Sequence, residues 1–311
     1  MKKIFLLFAA ALMAAGVASA QDINKAIELA NNGNEAFQMG EYQLAIDAFK
    51  QSLTIAEGLG EAGAEHAGTC KTAICNIYLA NAKNLIKASD FDGALAKLNE
   101  TISVAEGYGA AETVADAKGL IPNVYMAMGN ASLKAKDMAS AIASYTKVTE
   151  IDPANGDAYL RLGRALAATG KINDAVAAYE TAAANGEAKD ANKQLSNLFL
   201  KIAQASRKTQ KWDVVLENAK KALSYLESAN AYNFAGEASV KLGQNAQGIE
   251  YFEKFLQLSP NAKGANQAKY QIAEAAKASG NKAKAIEYFQ MIAADPQFAE
   301  YATFQIKELS K

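Results

Sequence analysis

The chain has 311 residues and a mass of 32.9 kDa, with 32 Lys and Arg against 33 Asp and Glu, a formal charge of −1 and a pI near 6.0. Half of it is hydrophobic and 21% is charged, which excludes wholesale disorder, while 4 Pro and 21 Gly exclude collagen-like and proline-rich classes. The near-neutral balance removes the electrostatic argument for nucleic acid, and one His with two Cys leaves little for metal or nucleophile chemistry.

The first segment reads as an address. Lys2 and Lys3 precede an apolar run from Ile4 to Val17, which ends in Ala18-Ser19-Ala20 before the polar Gln21-Asp22. A basic start, a short apolar stretch and an A-x-A site predict a secretory signal peptide over 1–20, cleaved after Ala20. The run is too short for a comfortable membrane span, and no Cys stands at the cleavage point to take a lipid. Cleavage leaves 30 basic and 33 acidic residues, a charge of −3. The expectation is an exported, periplasmic protein with no stable membrane insertion.

From Asn24 onward apolar residues recur at helical spacing, interrupted by short polar breaks. In chain order these are Met39-Gly40-Glu41-Tyr42, Ser89-Asp90-Phe91-Asp92, Lys136-Asp137-Met138, Thr169-Gly170-Lys171-Ile172, Thr209-Gln210-Lys211-Trp212, Leu242-Gly243-Gln244-Asn245 and Ser279-Gly280-Asn281-Lys282. Six are followed by a small residue and, four positions on, a large one: Ala45/Phe49, Ala94/Leu98, Ala141/Tyr145, Ala175/Tyr179, Gly248/Phe252 and Ala285/Phe289. The fifth has Val215 and Ala219 there, with Trp212 just after its break.

This pattern resembles the tetratricopeptide repeat, a helix-turn-helix unit of about 34 residues. The fourth unit carries it best, with Tyr159, Leu162-Gly163, Leu166, Gly170, Ala175 and Tyr179; units three and six keep Tyr125 with Gly129 and Tyr232 with Gly236, and end in Pro153 and Pro260. The resemblance implies an all-α, right-handed superhelical solenoid of about seven repeats. The units fall near 26–59, 75–108, 122–155, 156–189, 196–229, 229–262 and 266–296, within a solenoid over 21–311 that ends in a capping helix over 297–310. Small residues such as Gly129, Gly163, Ala175 and Ala285 are expected where helix axes approach, with a large residue one turn away filling the next layer.

The small residues at 45, 94, 141, 175, 215, 248 and 285 are spaced by 49, 47, 34, 40, 33 and 37. The two long gaps begin with the related segments Ala56-Glu57-Gly58-Leu59-Gly60 and Ala105-Glu106-Gly107-Tyr108-Gly109. They either lengthen helices or form loops, and Gly119 with Pro122 predicts a break or kink. No linker divides the chain; the nearest thing to a joint is Asn185 to Lys189.

Cys70 and Cys75 lie five residues apart, roughly 8–9 Å on one straight helix, beyond the roughly 7 Å limit for a disulfide. Two buried thiols are expected unless Gly68-Thr69 lies outside the helix. His66 and Cys70 share a helical face, but two ligands do not make a zinc site. No Ser-His-Asp set can be built without this one His, and no phosphate loop or dinucleotide motif appears. No catalytic residues, metal or cofactor are expected.

In the repeat family, the first helix of each unit lines a groove for extended peptides or partner helices. Register places Lys83, Lys87, Asn130, Lys134, Arg161, Arg164, Asn197, Lys201, Gln204, Arg207, Glu237 and Glu274 on that surface. All three Arg of the chain fall on the first helices of units four and five, and Arg grips carboxylates bidentately. With Asn130, Asn197 and Lys201 they outline an anion-binding stretch, set against the alternative that they pair with nearby acids. The stretch resembles the carboxylate clamp of chaperone-binding members, but Met126, Arg161 and Asn197 stand where the family has Lys, Asn and Lys. The functional expectation is a periplasmic scaffold that binds a protein or peptide in its groove. The alternatives are an envelope-assembly or cell-division factor docked to a membrane complex, a hydrolase, and self-association through exposed end helices.

Overall fold

Each of the seven polar breaks is a tight turn between two antiparallel helices. Each turn holds one residue in the left-handed region: Gly40, Ser89, Lys136, Gly170, Gln210, Gly243 and Gly280, with φ between 56° and 79°. That residue ends a helix so sharply that the next one starts two residues later. Several second helices are then capped by the polar residue of the break. The Asp90, Asp137 and Asn281 side chains accept from the backbone N–H groups of Gly93, Ser140 and Lys284.

The computed structural model describes residues 20–311 in full and 2–19 by backbone alone; the expected leader over 1–20 lies, apart from Ala20, outside the fully described residues. The fold is all-α, with no strand among the described residues. Two compact units divide at Pro153/Ala154. The division falls at a unit-ending proline, not at Asn185, the joint expected from repeat spacing.

The first unit holds α1 (Lys2–Gln38), α2 (Tyr42–Gly58), α3 (Ala64–Lys87), α4 (Phe91–Tyr108), α5 (Ala111–Lys134) and α6 (Met138–Ile151). The two insertions lengthen helices. The first helix of unit two starts at Ala64 instead of near 75, and that of unit three at Ala111 instead of near 122. Of the break or kink expected at Gly119 and Pro122, there is no break: α5 runs through both, with Pro122 inside the helix. Proline lacks the N–H of one intrahelical bond, but Ala117 and Val124 on either side are fully buried, and that packing holds the helix through the gap. Helix α3 likewise runs straight through Gly68-Thr69, so Cys70 and Cys75 are free, buried thiols.

The second unit holds α7 (Gly156–Ala168), α8 (Ile172–Ala182), α9 (Ala188–Lys208), α10 (Trp212–Tyr225), α11 (Ala229–Lys241), α12 (Asn245–Leu258), α13 (Ala265–Ala278), α14 (Lys282–Gln290) and α15 (Ala299–Leu309). The spacing of 40 becomes a wide turn over Ala183–Glu187, kinked at Asn185 and at Gly186 with φ 95°, after which α9 starts well before the expected 196. The capping helix is α15, which covers Ile272 and Phe289 with Phe298 and Ala302.

Close packing within each hairpin follows the small-large pattern. The aromatic ring lies over the glycine of its own hairpin, and Phe252 and Phe289 also join an apolar cluster with the helices that follow. A Cβ built on Gly33, Gly129, Gly163 or Gly236 would fall 2.5–2.9 Å from the ring of Phe49, Tyr145, Tyr179 or Phe252. In the second unit the first helices also touch in turn, α7 with α9, α9 with α11 and α11 with α13, so they present one continuous surface.

Candidate functional site

Asn130 belongs to the first unit and the other five candidates to the second, where the site is built. In the first unit, Asn130 is used internally: its Oδ1 accepts from the Tyr145 hydroxyl at 2.8 Å, tying α5 to α6.

In the second unit, helix α7 turns Arg161 and Arg164 to different uses. Arg161 is half-buried and its Nε donates to both carboxylate oxygens of Asp157, at 3.0 and 2.9 Å, one turn back on the same helix. Arg207, on α9, forms a two-point pair with Glu237 of α11 at 2.6 and 3.0 Å, and its guanidinium stands 5.8 Å from the Phe234 ring. Two of the three Arg residues are therefore held by acids. Arg164 is exposed and has no carboxylate partner among the described residues; Lys201 on α9 is in the same state.

Arg164 and Lys201 meet at one cleft. It has a volume of about 520 Å³ and lies where α7 and α9 flank α8. Its apolar floor comes from Ile172, Tyr179, Leu198 and Ile202, with Gln194 and Ser206 at its margin. Leu198 and Ile202 are one turn apart and so share a face, and Lys201 stands beside them. Tyr179 is positioned by its seat on Gly163, the residue before Arg164. Burial pushes the Tyr179 phenol up, while the Arg164 cation pulls it back down. The arrangement is a cation pair over an apolar patch, suited to a carboxylate flanked by an aliphatic or aromatic side chain.

The same surface continues past the Arg207–Glu237 pair. Hollows of about 340 and 270 Å³ flank the pair, lined with Gln204 and Trp212 on one side and Asn233, Gln267 and Gln271 on the other. Asn197 is exposed on α9 but lines none of these hollows. At the C-terminal end Glu274 is engaged, accepting from Lys277 at 2.8 Å and from the Tyr301 hydroxyl of α15 at 3.1 Å.

One cluster in the first unit was not legible from spacing. Ser52, fully buried on α2, donates to the Ala26 carbonyl of α1 at 2.7 Å. Its oxygen also lies 2.8 Å from His66 Nε2 and 3.3 Å from Cys70 Sγ on α3. Because the Ser52 proton is committed to Ala26, Ser52 accepts from His66, so the ring carries its proton on Nε2. That proton arrangement is the reverse of the one a histidine base needs to activate a serine. Burial pushes the Cys70 thiol up, which works against a reactive thiolate. The cluster ties α1, α2 and α3 together. Among the described residues no three or more His, Cys, Asp or Glu side chains converge as metal ligands would, and no helix is long and apolar enough to cross a membrane.

Family models described as tetratricopeptide repeat match residues 132–199, 229–262 and 267–297. Among solved structures, the chain is similar to a MamA protein at 23% identity, covering 56% of this chain and 91% of that one, with a TM-score of 0.37. A MamA fragment from Desulfovibrio magneticus RS-1 is 18% identical over 55% of this chain and 92% of that one, with a TM-score of 0.36. YrrB, described as a TPR protein with an unusual peptide-binding site, is 20% identical over 58% of this chain and 90% of that one, with a TM-score of 0.35. No curated protein sequence matches the chain.

Proposed function

The chain belongs to the tetratricopeptide repeat family, and from that premise we propose that it is an exported, non-catalytic scaffold whose α7–α9 cleft receives an acidic segment of a protein partner. One observation carries the reading: Arg164 and Lys201, both exposed and without carboxylate partners among the described residues, flank a common apolar floor. A cation without a carboxylate partner, set beside an apolar floor, is available to an incoming carboxylate. The adjacent Leu198 and Ile202 add apolar burial that a bare ion pair in water would lack. Export is supported by Lys2, Lys3, the run to Val17 and Ala18-Ser19-Ala20. The non-catalytic reading is supported by the Ser52–His66 pair, whose proton arrangement is wrong for a nucleophile.

The test is fluorescence anisotropy with labelled ten-residue peptides that alternate Glu with Leu or Phe, beside peptides carrying Gln for Glu. Binding that needs the carboxylates and falls about tenfold or more in R164E/K201E supports the cleft. Equal affinity of that variant, or equal affinity for the Gln peptides, sinks it. Export is tested separately by fractionating the source cells and sequencing the N-terminus, which should begin at Gln21.

A further inference from the structure

The two units carry opposite charge. Residues 21–153 hold 17 Asp and Glu against 10 Lys, whereas 154–311 hold 16 Asp and Glu against 20 Lys and Arg. Among the unpaired charges of the two units, two sets stand on opposite-sign surfaces. In the first hairpin, Asp22, Glu28, Glu35, Glu41 and Asp47 are all exposed, and none is paired with a cation among the described residues. In the second unit, Lys193, Lys201 and Lys208 of α9 join Arg164 of α7, also exposed and also without carboxylate partners among the described residues.

The acidic end has a structural signature. Aligned on the glycine under the aromatic ring, Glu28, Asn32 and Glu35 of the first repeat stand where the fourth has Ala158, Leu162 and Ala165, and the sixth Ala231, Ala235 and Ala238. All six of those internal residues are buried. The face of α1 that would otherwise stack by apolar contact therefore presents carboxylates. Glu28 and Glu35 are two turns apart on one side of the helix, about 10 Å along its axis. Exposed apolar side chains sit beside them, Ile27 at 43% and Met39 at 68%.

We propose that the first hairpin of one copy docks on the α7–α9 cleft of a second copy, with Glu28 and Glu35 against the Arg164 and Lys201 side. This names the occupant of the cleft and rests on the reading of the cleft as a site for acidic segments. Charge complementarity selects a second copy: the chain carries both uncompensated surfaces, each exposed and of opposite sign. The two surfaces are different patches, so a single contact adds copies into chains or rings, and two reciprocal contacts close a pair. It also differs from pairing of end helices with each other, because only one end takes part.

Sedimentation velocity on the purified protein tests this, from about 1 to 100 µM, at about 50 and 500 mM salt. The expected result is assembly that grows with concentration and weakens about tenfold or more in high salt. E28K/E35K alone and R164E/K201E alone should each stay monomeric. Mixed one to one they should assemble again, because each reversed surface then meets its complement, and that rescue also shows both variants folded. A monomer at every concentration, assembly indifferent to salt, or a mixture that stays monomeric overturns the proposal. A monomer that still binds the acidic peptides through Arg164 and Lys201 overturns it while leaving the proposed function intact; loss of both peptide binding and assembly removes both.

Discussion

The Tyr179 ring lies against the Cα of Gly163 so closely that a Cβ there would sit 2.7 Å from two ring carbons. The contact closes the α7–α8 hairpin and sets the ring that floors the cleft. Gly163→Ala must push the ring off this seat, and overpacking of a fitted core costs about 1–3 kcal/mol. Gly68 offers the opposite case: it lies within α3, exposed, with nothing within 4 Å of a built Cβ. Gly68→Ala should stabilise by about 0.5–1 kcal/mol through lower backbone entropy in the unfolded chain. Urea midpoints should move in opposite directions for the two variants. The same direction for both would show that the ring contact does not set the penalty.

The hairpin turns make a second prediction. Four of the seven left-handed positions are Gly, but the others are Ser89, Lys136 and Gln210. An L side chain in that region costs roughly 1–2 kcal/mol that glycine avoids. Gln210→Gly should therefore stabilise the second unit despite the extra freedom it gives the unfolded chain, and Gly170→Ala should destabilise it by a similar amount. Thermal unfolding of the two variants beside the parent checks both signs. A Gln210→Gly variant less stable than the parent would mean that its side chain contributes more than its backbone costs.

Ser52 gives a third. Its hydroxyl is the hub between the Ala26 carbonyl, His66 and Cys70. Ser52→Ala removes the second donor of the Ala26 carbonyl, which keeps its helical N–H, and the partner of the partly buried His66, so the expected cost is about 1 kcal/mol. Ser52→Cys keeps a weak donor and should cost less. The readout is the denaturation midpoint, with hydrogen exchange of the α1 amides near Ala26 as the local measure. Unchanged exchange there would remove the bridging role.

The hairpins were legible because their punctuation is local: a polar break, a small residue and a ring four positions on. Helix starts were less so. The first helices of units two, three and five begin at Ala64, Ala111 and Ala188, in Ala-rich sequence that carries no capping side chain to mark them. Gly119 and Pro122 read as a break or kink, and local propensity could not show that α5 stays unbroken with Ala117 and Val124 buried. At the site, the pairing of Arg161 with Asp157 was readable from its spacing of four. That of Arg207 with Glu237 was not, since it joins neighbouring repeats across 30 residues. The cluster around Ser52 depends on how three helices meet, which no local pattern encodes.

The last prediction concerns alkaline pH. The Tyr225 hydroxyl on α10 donates to Glu180 of α8 at 2.6 Å, and that of Tyr288 on α14 donates to Glu253 of α12 at 3.2 Å. Both bonds link second helices of adjacent hairpins, and both phenols are pushed up to about 12. For Tyr225 the hydrogen bond to Glu180 is the main cause, followed by burial and the carboxylate's charge; for Tyr288 burial leads, with Glu253 adding its charge and its hydrogen bond. The folded state therefore holds these protons more tightly than the unfolded chain, whose tyrosines titrate near 10. The stabilisation is fully present below about pH 10 and is lost as pH rises through about 12. Both side chains are only partly buried, so the effect should be modest, and lysines titrate over the same range. Comparison with Y225F/Y288F isolates it. The double variant should be less stable at pH 8, and its urea midpoint should fall less steeply between pH 10 and 12. Parallel curves for parent and variant would show that the two bonds contribute nothing to holding the second helices together.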